Sequence, residues 1–221
     1  MSHVAVVICI HLLMPAQSSI ITPELLTSAY TYEQYLALSN ELLAQGRTTS
    51  EAPSYNTPEI LGYAKLNIHR MNRLDKLTAL TAELQAELAR ITEPWTWLVL
   101  TESWCGDAAQ SIPVLHHIAS QSTMISIRFL LRDKNPDLIN AYLTNGGKSI
   151  PKLVCVRTAD FKELGSWGPR PAQLQTLFME WQNKMPFPEL AELLQRWYNE
   201  DRTQSIQHEL LELVKAWRAI G

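Results

Sequence analysis

The sequence lacks the features that would place it in several broad classes, and each absence narrows what it does. Three cysteines, Cys9, Cys105 and Cys155, are spread over 221 residues. They are too few and too scattered for a disulfide framework, and they lack the paired spacings of a structural zinc site, so no metal is expected. This usage fits a reducing compartment. No long basic run occurs and the formal net charge is −3, which argues against a nucleic-acid partner, since phosphate binding needs clustered Lys and Arg. The only candidate membrane segment, "VAVVICIHLLM" from Val4 to Met14, falls far short of the roughly 20 apolar residues of a spanning helix. No membrane partner is expected. The same run makes a poor secretory signal, because no Lys or Arg precedes it and "MPAQSS" is a weak cleavage site. A cytoplasmic location is the expectation, with secretion through this weak signal as the alternative. Met1 and Met14 both stay open as the true start. Internal repeats and low-complexity tracts are also missing.

What is present is the composition of a globular protein, 46% hydrophobic and 19% charged, in a chain long enough for one core with appendages. "TYEQYLALSNELLAQG" reads as a helix capped by Thr31 and stopped at Gly46. "RTTSEAPSYNTP" reads as a linker rich in turn formers. Thr57 then caps, with Pro58 in the first turn, a stretch in which Leu66, Met71, Leu74, Leu84, Leu88 and Ile91 recur near helical spacing. That spacing allows one long helix or two with a bend.

From Trp95 the pattern changes. "WTWLVLTE" and "MISIRFLLR" are short runs rich in β-branched and aromatic residues, separated by helical sequence. "NPDLINAYLTNGG" predicts a helix capped by Asn135 and stopped at Asn145-Gly146, and "PKLVCVRT" with "FKELGSW" predicts a hairpin. Helix "PAQLQTLFMEWQ" follows, and the tail from "FPELAELL" reads as two helices separated near Asp201. The order β-α-β-α-β-β-α defines a two-layer α/β arrangement with added N-terminal and C-terminal helices. The expected divisions are a leader or arm over 1–25, a helical extension over 26–92, the α/β unit over 93–185 and a helical pair over 186–221.

"SWCGDA", between the first strand and the following helix, resembles the thioredoxin active-site segment Trp-Cys-Gly-Pro-Cys. Three further markers keep register with it: Pro113, eight residues beyond Cys105; Ile150-Pro151 ahead of the next strand; and "GSWGPRP". The stretch is similar to thioredoxin-superfamily proteins bearing Trp-Cys-Gly-Asp-Ala. The resemblance implies a thioredoxin-like domain with Cys105 as the nucleophile and Trp104, Gly106 and Asp107 as the active-site turn. It further implies a cis proline at Pro151 and a substrate groove built from Ile150, Pro151, Trp167, Gly168 and Arg170. Two residues depart from the pattern. Ala108 stands where the resolving cysteine would be, and Val99 where thioredoxins bury an aspartate.

A cysteine at a helix N-terminus faces unpaired N–H groups and the positive end of the dipole, which favours thiolate; Asp107 opposes it. Asp107 reads either as helix-start chemistry or as a proton acceptor or selectivity element. Arg170 and Trp167 read as a rim for an anionic group, with a solvated turn as the alternative for Arg170. Cys155 lies about 13 Å along its strand from Pro151 and reads as core. Arg132-Asp133 reads as a local ion pair or loop contact rather than a site, His116-His117 as too far along the helix to act on Cys105, and Arg70 as a lid residue or part of a solvated face with Arg73. Together these readings point to a monothiol oxidoreductase whose Cys105 forms a mixed disulfide with protein or small-molecule thiols and disulfides. No cofactor is expected beyond glutathione or another low-molecular-weight thiol as co-substrate. The alternative is a redox-inactive binding or scaffold protein of the same fold.

Overall fold

The computed structural model describes residues 20–220. The apolar run from Val4 to Met14, Cys9 and the choice between Met1 and Met14 lie outside the described residues. The N-terminal helices start where short polar side chains can accept a free backbone N–H. Thr22 caps α1 (Pro23–Thr27), and Thr31 with Gln34 forms a reciprocal capping box on α2 (Tyr32–Ala44). Thr57 caps α3 (Pro58–Leu77) with Pro58 in the first turn. The long periodic stretch is two helices: Thr78 leaves helical backbone at ψ 117°, and Thr81 caps α4 (Ala82–Leu88). Apolar spacing alone carries through this break and does not reveal it.

The segment read as a linker is a structured loop. Thr48, Thr49 and Ser50 are buried, and Pro53–Tyr55 forms a 3-10 turn. The Thr49 hydroxyl bonds to Glu102 and Ser103 just after the first strand, the Thr48 hydroxyl to the Tyr55 carbonyl and the Ser50 hydroxyl to Asp133.

Strands β1 (Trp95–Thr101), β2 (Ile125–Leu131), β3 (Lys152–Arg157) and β4 (Glu163–Trp167) form one sheet in the order β2-β1-β3-β4. β1 pairs parallel with β2 through the crossover helix α5 (Gly106–Ser120), and β1–β3 and β3–β4 are antiparallel. With α6 (Pro136–Ala141) and α7 (Ala172–Trp181) in place, the order is the expected β-α-β-α-β-β-α, a thioredoxin-like fold with added helices. α6 is shorter than its sequence suggests. It ends at Ala141, and Asn145-Gly146 belongs to a separate tight turn between Thr144 and Gly147. Asn135 does not cap through its side chain, which instead bonds back to the Leu131 carbonyl.

Every residue of β1 is buried, as expected for a strand covered on both faces. Leu190, Leu194 and Tyr198 on α8 (Phe187–Asp201), and Ile206, Leu210, Val214 and Trp217 on α9 (Gln204–Arg218), make buried stripes at helical spacing. Trp217 meets Trp95 and Trp97 edge-on, with ring centroids 6.3 and 6.0 Å apart. Gly165 makes this possible: at φ +155°, a Cβ there would lie 2.3 Å from the Trp217 indole nitrogen. Side chains of the added helices thus enter the same core cluster as the sheet. Among the described residues no helix is long and apolar enough to cross a membrane.

Candidate thiol site

Cys105 follows β1 by a short turn and is the N-cap of α5. Its backbone N–H returns to the Glu102 carbonyl at 3.1 Å, which closes that turn. The sulfur accepts from the Ala108 N–H at 3.5 Å, and the thiol donates to the Ile150 carbonyl at 3.2 Å. The helix start is therefore used as foreseen, but the expected thiolate is not what this setting favours. Cys105 is only 7% exposed. Burial, followed by the charge of Asp107, pushes its thiol pKa up to about 12, against the smaller pull of the Ala108 N–H and of Arg170. Desolvation outweighs the N–H groups of the helix start here. Cys155 lies fully buried on β3 opposite Trp97, and burial raises its pKa as well.

The Ile150–Pro151 and Gly168–Pro169 peptide bonds are both cis. Gly168 sits at φ +103°, where a Cβ would lie 2.3 Å from the Pro151 carbonyl oxygen, so only glycine brings these two turns together. The rim expected from Trp167 and Arg170 is already occupied. Trp167 is buried and its indole N–H donates to Glu209 of α9 at 2.7 Å. Arg170 is 2.6 Å from Asp107 through Nη2, donates through Nη1 to Gln175, and lies over the Phe178 ring at 3.8 Å. Asp107 also accepts from the Tyr198 hydroxyl at 2.9 Å. Burial pushes the Asp107 carboxyl up from its ordinary value, against the pull of Arg170 and Tyr198. Asp107 is therefore the hub of a buried trio rather than a lone helix-start carboxylate.

A cavity of about 910 Å³ opens beside the thiol. Cys105, Trp104, Gly106, Asp107, Ile150 and Arg170 line it, and Pro151, Trp167 and Gly168 do not. On one side Tyr55 stacks on Trp104, with ring centroids 4.2 Å apart and planes within 10°. The Arg132 guanidinium lies 4.8 Å from the Trp104 ring and 5.3 Å from that of Tyr55. Arg132 and Asp133 make the foreseen ion pair at 2.7 Å, yet both also line the cavity. Phe178, Phe187 and Leu194 line the cavity as well. Arg70 lines the cavity too, half-buried, with Nη1 3.8 Å from the position of a Cβ on Gly106. Its guanidinium lies beside Gly106, the first residue of α5. Arg73 is exposed and bonds to Asn199 instead. His116 stacks on Tyr32, and His117 bonds to the Asp75 carbonyl, so both face the N-terminal helices.

Sequence reasoning passed over the buried polar loop beneath the turn. The Thr49 hydroxyl donates to the Glu102 carboxylate and accepts from the Ser103 N–H at 2.9 Å, while Asn67 Nδ2 donates to the Ser103 carbonyl at 3.0 Å. Glu102 also accepts from the Asp133 N–H at 3.0 Å, and burial raises its pKa. Tyr198 was also missed, although the apolar stripe Leu190, Leu194, Tyr198 marks it as an inward-facing residue.

The model of the thioredoxin family matches residues 55–184, more than half of the chain, and the chain belongs to that family. A crystal structure of a protein of unknown function from Pseudomonas aeruginosa is similar in fold. It is 15% identical with a TM-score of 0.51, and the match covers 84% of this chain and 98% of that one. An HIV epitope-scaffold structure matches at 16% identity and a TM-score of 0.45, over 82% of this chain and 95% of that one. No curated protein matches the chain.

Proposed function

We propose that this protein is a monothiol thiol-disulfide oxidoreductase in which Cys105 forms a mixed disulfide with a small thiol compound. The observation that carries this reading is the position of Cys105, on the wall of the cavity and at the start of α5. Once deprotonated, Sγ attacks a disulfide R–S–S–R′. A Cys105–S–S–R bond forms, the original S–S bond breaks, and R′–S⁻ leaves and takes up a proton. The Cys105 sulfur is oxidised and the departing sulfur reduced. Ala108 offers no second thiol, so a second thiol molecule must attack the mixed disulfide to release R.

The raised thiol pKa favours a second reading, a thioredoxin-fold binding or scaffold protein that keeps the cavity without the chemistry. One experiment separates them. Intact-mass measurement after incubation of the folded protein with oxidised glutathione, from about pH 7 to pH 10, should show a single adduct mapping to Cys105 that grows with pH. An unmodified Cys105 across that range would leave the scaffold reading.

A further inference from the structure

We propose that the cavity beside Cys105 takes a compact thiol or disulfide with an aromatic or branched apolar body and one carboxylate, the carboxylate seated on Arg70. This rests on the reading of Cys105 as the reacting thiol and adds which compound reaches it. Three observations carry it.

The first is charge. Among the described residues that line the cavity, Arg132 pairs with Asp133, Arg170 with Asp107 and the exposed Lys134 with Glu51, which leaves Arg70 and the exposed Lys148 without a carboxylate. Among the described residues, the Arg70 side chain bonds only from Nη1 to the Asn67 amide oxygen at 2.9 Å. A half-buried guanidinium without an anion is poorly solvated, and a carboxylate would bind it through paired N–H groups. Lys148 also lines the cavity without an ion pair, but it is exposed and already hydrated.

The second is wall chemistry. The flat Tyr55–Trp104 stack, with Phe178, Phe187 and Leu194, offers apolar surface to the body of a ligand. These walls favour an aromatic or branched body over a peptide-like one, so oxidised glutathione should react with Cys105 but more slowly than an aryl disulfide.

The third is size and access. About 910 Å³ lies within the range of small-molecule sites. Arg70 Nη1 lies beside Gly106, the residue after Cys105, so one compact molecule can place its sulfur on Cys105 and its anion on Arg70.

The test compares two aryl disulfides, the dianionic dithiobis(nitrobenzoate) and the neutral dithiodipyridine. Rates of Cys105 modification are normalised to a free cysteine derivative, and sites are mapped by mass. The native protein should prefer the anionic probe, and Arg70→Gln should lose about tenfold or more of its rate with that probe alone, as expected for one charge-assisted bond. Arg70→Lys should recover part of the loss. No charge preference in the native protein, an equal loss with both probes, or a loss on Lys148→Gln in place of Arg70→Gln would overturn the proposal. If neither probe modifies Cys105, the redox reading fails, and calorimetric binding of thionitrobenzoate to native and Arg70→Gln protein then decides the carboxylate seat: equal affinity, or no binding to either, overturns it.

Discussion

The Arg170 guanidinium and the Asp107 carboxylate meet at 2.6 Å, with about one tenth of each side chain exposed, two residues along the chain from Cys105. The pair links the turn after β4 to the active-site helix, and Tyr198 ties α8 to the same carboxylate. Its charge also works against the neighbouring thiolate. Stability and thiol chemistry are thus set against each other at one residue.

Asp107→Asn separates the two effects. It keeps an acceptor for Tyr198 but removes the negative charge and leaves Arg170 unpaired. The Cys105 pKa should fall from about 12, and iodoacetamide should alkylate Cys105 faster near neutral pH. Urea denaturation should show a loss of about 3–5 kcal/mol, the usual result of breaking a buried pair by removing one partner. An unchanged alkylation profile would mean that Asp107 does not govern the thiol.

Much of the scaffold was legible because its signals are local. Thr31, Thr57 and Pro58 mark helix starts, and the strand runs at Trp95 and Ile125 enclose one crossover helix. Cys105 was legible for the same reason, since its position depends only on a strand, a turn and a helix start. The pairing of Asp107 with Arg170 and Tyr198 was not: the GSWGPRP motif and the α8 stripe mark the two elements, but which carboxylate they close on is decided by tertiary docking. The buried loop at Thr48–Ser50 was misread for a related reason. Ser and Thr serve loops and caps equally well, and only the burial of Glu102 shows what these hydroxyls are for.

Thr49→Val tests that loop. It removes the hydroxyl that donates to Glu102 and accepts from the Ser103 N–H, leaving both buried groups short of a partner. A loss of about 1–3 kcal/mol is expected in chemical denaturation. Because the same loop carries Tyr55 onto Trp104, indole fluorescence should shift as well. A variant as stable as the native protein would show the network to be dispensable.

Acid should weaken the protein partly through His116. Burial lowers its pKa below 6.5, with Glu33 and Asp75 opposing and His117 adding to the shift. A histidine with a depressed folded pKa is bound by fewer protons in the folded state, so its contribution to stability is present above 6.5 and is lost as pH falls through the lower folded value. His116→Phe can keep the ring stack on Tyr32, now 4.2 Å between centroids, without a titrating group. Its melting temperature should fall less steeply than that of the native protein between about pH 7 and pH 5. Parallel curves would assign the acid sensitivity elsewhere.

The last prediction concerns Ala108. Its N–H points at the Cys105 sulfur from 3.5 Å, so position 108 lies in the helical turn from which a second thiol could attack a mixed disulfide on Cys105. The native protein should not catalyse insulin reduction with a dithiol reductant, since release of the partner needs an outside thiol. Ala108→Cys should form an internal disulfide under mild oxidation and gain measurable turnover. The gain should be partial for two reasons. Cys105 remains hard to ionise beside Asp107, and Val99 supplies no acid to help the second thiol. Ala108 is 1% exposed, so the added sulfur must also fit a packed site, at a cost of about 1–3 kcal/mol if it does not relax. Combining Ala108→Cys with Asp107→Asn should raise turnover above that of the single variant, because the first thiol then ionises more readily. A folded Ala108→Cys variant with no internal disulfide and no turnover, with or without Asp107→Asn, would mean that Cys105 is not presented for exchange at the helix start, and the cavity would then be a binding site rather than a redox one.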